Sequence, residues 1–121
     1  MGNTIYRWLF VAFLLCGSAL AEEVKILDVR NTLAGGGTYH HVRFSGRFDG
    51  PRTVQLYVSP AGIEHFFSAG DVDVSPADNG HTLRNRWWSP VESKRWSVIL
   101  VVYDERWGTR MTDGPITTRG K

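Results

Sequence analysis

Residues 95–103, Arg-Trp-Ser-Val-Ile-Leu-Val-Val-Tyr, constrain the fold more than any other stretch of this chain. Both alternating sets are apolar: Trp96, Val98, Leu100 and Val102 on one side, Ile99, Val101 and Tyr103 on the other. Successive side chains of a strand point to opposite faces, so a strand here has no side that favours water. β-Branched and aromatic residues dominate it, with neither Gly nor Pro to interrupt. The stretch predicts a strand at or near the middle of a sheet, buried on both faces, with shorter strands gathered around it.

The chain opens on a different kind of segment. Arg7 gives a basic start, residues 8–15 are unbroken apolar sequence, and residues 16–21 turn small, ending Ala19-Leu20-Ala21. Basic, apolar and small-x-small in that order predict a secretory signal peptide cleaved after Ala21. An anchor helix fits less well, because the apolar run from Trp8 to Leu20 has 13 residues and a bilayer needs roughly 20. A lipoprotein junction fits less well too, because Leu15 before Cys16 is bulky. The expected division is a leader, residues 1–21, and one domain, residues 22–121, long enough for one apolar core and too short for two. Cleavage would remove Cys16, the only cysteine, so no disulfide would brace the product. It would also leave 13 basic against 12 acidic residues, a balance that speaks against nucleic acid as partner. The expected location is periplasmic or secreted, with no stable membrane span after cleavage.

Helical periodicity is almost absent from the remainder. Val24 to Arg30 reads as a first strand, and Gly35-Gly36-Gly37 as a mobile loop without the strand, helix and lysine of a phosphate cradle. From Tyr39 to Phe48 the pattern alternates, with Val42, Phe44 and Phe48 inward and His41, Arg43, Ser45 and Arg47 outward. Asp49-Gly50-Pro51 is a turn, and Val54, Leu56 and Val58 mark a further strand, hairpinned to the previous one. Residues 63–67 read as a short strand or a helical turn, residues 71–74 and 81–88 as strands. Residues 109–118 are interrupted by Asp113-Gly114-Pro115, which predicts a bulged or edge strand and a route to a homodimer by strand addition. About seven short strands predict an all-β, antiparallel β-sandwich of immunoglobulin-like arrangement. A small β-barrel has the same sequence appearance.

Signatures of catalysis and metal binding are weak. His40 and His41 are adjacent, so on a strand they point to opposite faces and do not share one metal. Together with His65 and His81 they read as ordinary surface or half-buried histidines. Asp71-x-Asp73-x-Ser75 has Pro76 where a calcium loop needs glycine. No serine stands in Gly-x-Ser-x-Gly, and no cofactor is implied. The expectation is a protein that is not an enzyme.

Cations and tryptophans do cluster toward the C-terminal half, at Arg84, Arg86, Trp88, Lys94, Trp96, Arg106 and Trp107. Alternation puts Arg84, Arg86 and Trp88 on one face and Trp87 on the core side. A hairpin over residues 89–93 would pair Trp88 with Lys94 and Arg86 with Trp96 in a ladder of cation–π contacts. An immunoglobulin-like crossover between sheets would prevent it. Long cationic stems also pack over apolar surface simply as cover. Tryptophan and arginine nonetheless dominate interface hot spots. The functional expectation is a small exported non-catalytic module that binds another envelope or extracellular protein through this Trp/Arg face, as inhibitor, immunity protein or assembly factor. The alternative is a carbohydrate-binding sandwich that stacks glycans on exposed tryptophans.

Overall fold

The computed structural model describes residues 22–104 and 108–119 of the 121-residue chain. The expected leader, residues 1–21, lies outside the described residues, as do Arg106 and Trp107. Seven strands run through what is described: β1 (Glu23–Ala34), β2 (Gly37–Arg47), β3 (Arg52–Pro60), β4 (Phe67–Val74), β5 (Leu83–Ser89), β6 (Arg95–Asp104) and β7 (Gly108–Arg119). They form two antiparallel sheets, ordered β1-β2-β5 and β4-β3-β6-β7. No ladder joins the two among the described residues, so the strands are arranged like a sandwich rather than closed into a barrel. One short 3₁₀ turn, Pro76–Asp78, separates β4 from β5, and the Ser75 and Asp78 side chains cap it reciprocally.

The two sheets share one apolar core. Val24, Ile26, Val42, Phe44 and Trp87 face it from the three-stranded sheet; Val54, Leu56, Val58, Trp96, Val98, Leu100 and Val102 face it from the other. β6 lies between β3 and β7, inside its sheet as the apolar run requires. Its inward set, Trp96 to Val102, has no exposed surface at all. The outward set departs from expectation: Ile99 and Val101 are only half-buried and Tyr103 is exposed. Among the described residues no third layer lies over that side, and neighbouring side chains cover it in part.

The connections differ from the sequence reading in three places. Gly35 and Gly36 are not a mobile loop but a two-residue turn, because β1 and β2 stay paired up to Ala34 and Gly37. Gly36 there has φ +87°, open to glycine without strain. β2 and β3 do not form a hairpin. The turn after Phe48 carries the chain from one sheet to the other, and Phe48 is itself buried. Asn79 holds this corner by accepting from the Phe48 N–H at 2.7 Å and donating to its carbonyl at 2.9 Å. Arg52, just past the corner, lies 3.0 Å from Glu22 and 3.6 Å from Asp104, and also pairs with Asp49. Alternation reports that each strand has a buried face, and turn residues report a reversal. Neither says which sheet receives the next strand.

The third departure is the β5–β6 connection, which also crosses between the sheets, so the ladder of Trp88 on Lys94 and Arg86 on Trp96 does not form. Trp96 turns into the core, and its indole N–H donates to the Ser93 carbonyl at 2.9 Å. β7 is an edge strand with two register irregularities, as the Asp113-Gly114-Pro115 interruption implies. It lies along the β1 edge of the opposite sheet, where Asp113 accepts from the Ile26 N–H at 2.6 Å and Thr118 accepts from the Asn31 side-chain amide.

Candidate binding face

The three-stranded sheet has an inner and an outer surface, and both carry polar chemistry. On the outer one, the register sets out three rows across the strands. Asp28, Arg43 and Arg84 form one, Arg30, His41 and Arg86 the next, and Thr32, Tyr39 and Trp88 the third. The first row reaches Asp28 only because a bulge between Ile26 and Asp28 shifts the β1 register. Neighbouring rows are about 7 Å apart and neighbouring strands about 4.8 Å, so the four arginines form a dense cationic grid. None of the four is ion-paired with a carboxylate among the described residues. A shallow depression of about 730 Å³ lies over the grid, lined by the two rows that carry the arginines. His41 sits within it. Partial burial lowers its pKa, and the Arg30 and Arg86 charges lower it further.

The third row is closed in on itself. Trp88, 38% exposed, lays its indole over Gly37, where a Cβ would overlap the ring. Its ring centroid is 4.7 Å from that of Tyr39. The guanidinium of Arg86 lies over the other neighbour, 4.7 Å from the Tyr39 centroid. An aromatic ring covering a strand glycine on the next strand fills the gap a missing side chain leaves. Both aromatics therefore already have partners within their own sheet.

Of the residues singled out in the sequence, the structure brings Arg84, Arg86 and Trp88 together on this face. Lys94 is exposed, but it stands in the β5–β6 crossover and not on the sheet. Trp96, with no exposed surface, is a core residue and offers nothing to the outer face. Arg30, Tyr39, His41 and Arg43 belong to the grid yet were absent from the sequence cluster, which was drawn from one stretch of chain. The alternation of β2 was the available signal, since it already put His41 and Arg43 outward.

The inner surface holds a buried polar cluster. His40, Asn31 and Ser89 have no exposed surface. The His40 Nδ1 lies 2.8 Å from Asn31 Oδ1, and Nε2 lies 2.7 Å from Ser89 Oγ. Because the Asn31 amide nitrogen donates to Thr118, its oxygen must accept; Nδ1 then carries the proton and Nε2 accepts from Ser89. The His40 ring meets the Trp96 indole edge-on, with centroids 4.6 Å apart. Burial, and secondarily the His41 charge, lowers the His40 pKa to about 4. Hydroxyl, imidazole and amide oxygen in sequence have the connectivity of a nucleophile relay, but this hydroxyl is sealed from solvent. The cluster joins β1, β2, β5 and β7. His40 is thus neither a surface nor a half-buried histidine.

Among the described residues, no three His, Cys, Asp or Glu side chains are grouped closely enough to hold a metal ion. Asp71 and Asp73 are exposed along β4, and Ser75 caps the 3₁₀ turn instead of joining them.

No protein-family model matches the chain, and no curated protein matches it. Among solved structures, it is similar to the selenomethionine-labelled β-glucosidase from Kluyveromyces marxianus at 13% identity and a TM-score of 0.41. The match covers 84% of this chain and 15% of that enzyme. A likeness that distant carries no argument about fold or activity.

Proposed function

We propose that this chain is a small exported module of the immunoglobulin-like sandwich class that binds another protein and performs no catalysis. Its recognition surface is the outer face of the three-stranded sheet. The observation that carries this reading is the grid of Arg30, Arg43, Arg84 and Arg86 on three neighbouring strands, where Asp28, beside Arg43, is the one carboxylate in the rows and forms no ion pair with them among the described residues. Arginines left unpaired at such spacing repel one another, an arrangement that a partner's negative charge would relieve. The sandwich class is supported by the strand order and by the three crossovers, from β2 to β3, from β4 to β5 and from β5 to β6. Relative to the constant-type order, the fourth strand lies on the second sheet. Export rests on the leader pattern of residues 1–21.

The glycan reading is the less favoured one, because a sugar platform needs a free aromatic face. Trp88 is spent on Gly37, and Tyr39 carries Arg86. Capture from an envelope extract tests the choice, with the full chain compared against Arg84→Glu/Arg86→Glu and with equal thermal melts as the folding control. The expected result is a protein retained by the wild type and lost from the variant. Retention of glycan alone, or equal retention of the protein by both, would overturn the proposal.

A further inference from the structure

The charge and the sheet edge together narrow the partner's chemistry, granted the binding-module reading above. We propose that the partner presents an extended acidic segment that adds as a strand alongside β5, with carboxylates on alternate residues set against Arg84 and Arg86.

Position supplies the first part of the argument. β5 ends its sheet, and on its outer side it pairs with no strand among the described residues. Such an edge presents unpaired N–H and C=O groups, and an extended peptide can satisfy them by adding a strand. β1, the other edge of the sheet, is bridged to β7 by Asp113 and Asn31. β5 lies near β4 of the opposite sheet, but no hydrogen bond bridges the two among the described residues.

Spacing supplies the second. Arg84 and Arg86 are two residues apart on one face, so their side chains leave the backbone about 7 Å apart. A partner strand repeats at the same interval. Its alternate side chains would therefore come level with both arginines. Arginines along an edge are commonly a block against pairing with copies of the same chain. Here that block is selective, because a second β5 would set arginine against arginine while an acidic strand would set carboxylate against arginine. Polyanions such as nucleic acids or sulfated glycans would meet the charge but have no backbone to pair with the edge.

A synthetic ten-residue peptide of alternating Glu and Thr is the probe, with a Gln-for-Glu peptide as its uncharged control. Heparin oligosaccharide and single-stranded oligothymidylate of equal charge serve as competitors. Titration calorimetry with the full chain should show binding of the Glu peptide and none of the Gln peptide. Arg84→Gln/Arg86→Gln, confirmed folded by its melt, should weaken the Glu peptide roughly tenfold or more, since charge-paired contacts are the ones lost. Bound peptide should slow amide exchange across Leu83–Ser89. Three results would overturn the inference: no binding of the Glu peptide, binding without β5 protection, or polyanions of equal charge binding as well as the peptide. If envelope capture still depends on Arg84 and Arg86 while the peptide fails, the module reading stands and only the acidic-strand inference falls. Peptide binding without any captured envelope protein would do the reverse.

Discussion

His40 points into the core and His41, the next residue, lies on the outer face of the same strand between Arg30 and Arg86. The two imidazoles have the same chemistry and the same local sequence. Both have a lowered pKa, with burial as the larger cause, but what surrounds each is different. His40 has a partner on each nitrogen and an indole against its ring. His41 has two guanidinium neighbours, and among the described residues no group accepts a hydrogen bond from it. One side of β2 is therefore finished chemistry at the His40 cluster, whose polar groups are answered within the chain, while the buried Trp87 indole N–H beside it has no hydrogen-bond partner among the described residues. The other is an open account of positive charge. The difference separates the part of the sheet that holds the molecule together from the part that is available to something else.

The largest expected effect breaks the finished side. His40→Ala would leave Asn31 Oδ1 and Ser89 Oγ without their partner in a dry interior, each costing about 1–3 kcal/mol, and would open a cavity against Trp96. The expected loss of stability in urea denaturation is about 3–5 kcal/mol in total. His41→Ala, at a partly exposed site with no hydrogen bond to lose, should fall within about 0.5 kcal/mol of wild type. Equal losses at the two positions would mean that the buried cluster does not stabilise the fold.

Acid should find the same difference without a mutation. The unfolded chain takes up a proton on His40 near its ordinary value of 6.5, whereas the folded chain resists protonation until about pH 4. The unfolded state thus binds more protons between those values, and stability falls as pH drops through that window. It is fully present above about pH 6.5 and lost progressively toward pH 4. At about 1.4 kcal/mol per unit the loss approaches about 3 kcal/mol. Urea denaturation at pH 7, 5.5 and 4 measures it, with His40→Gln as the reference for every other acid-sensitive group. The wild type should lose about 3 kcal/mol more than the variant over that range. Parallel losses would show that His40 does not carry the acid sensitivity.

The sequence made some of this legible. The doubly apolar run at residues 95–103 put β6 inside its sheet, and the Asp113-Gly114-Pro115 interruption marked β7 as an irregular edge. Alternation sorted Trp87 to the core, 4% exposed, and Trp88 to the surface. It was also enough to send His40 and His41 to opposite faces. What it did not carry was pairing between distant segments. Trp96 was grouped with Trp88 because they are close in the chain, while the β5–β6 crossover sends them to opposite sheets. His40 was read as ordinary because its partners are 9 and 49 residues away, a separation that leaves no local pattern. Arg30 and Arg43 were missed for the same reason, since a cationic grid built from three strands has no signature in any one of them.

The smallest expected effect sharpens the open side. If the row Arg30–His41–Arg86 is as compact as the register makes it, the His41 titration should respond to each neighbour. Burial is the first cause of its lowered pKa, followed by Arg30 and then Arg86. Arg86→Gln should therefore raise the His41 midpoint, followed by the imidazole resonances in an NMR titration, and Arg30→Gln should raise it slightly more. Neither should return it to 6.5, because the burial remains. Added salt should act in the same direction by screening both guanidinium charges, and should have less left to do in either variant. The protonated His41 would add a fifth positive charge to the grid, so an anion seated there would also pull the midpoint upward. A His41 midpoint indifferent to Arg30, Arg86 and salt would mean that the guanidinium groups swing away from the row in solution. The face would then be a set of separate surface cations with no shared field to offer a partner.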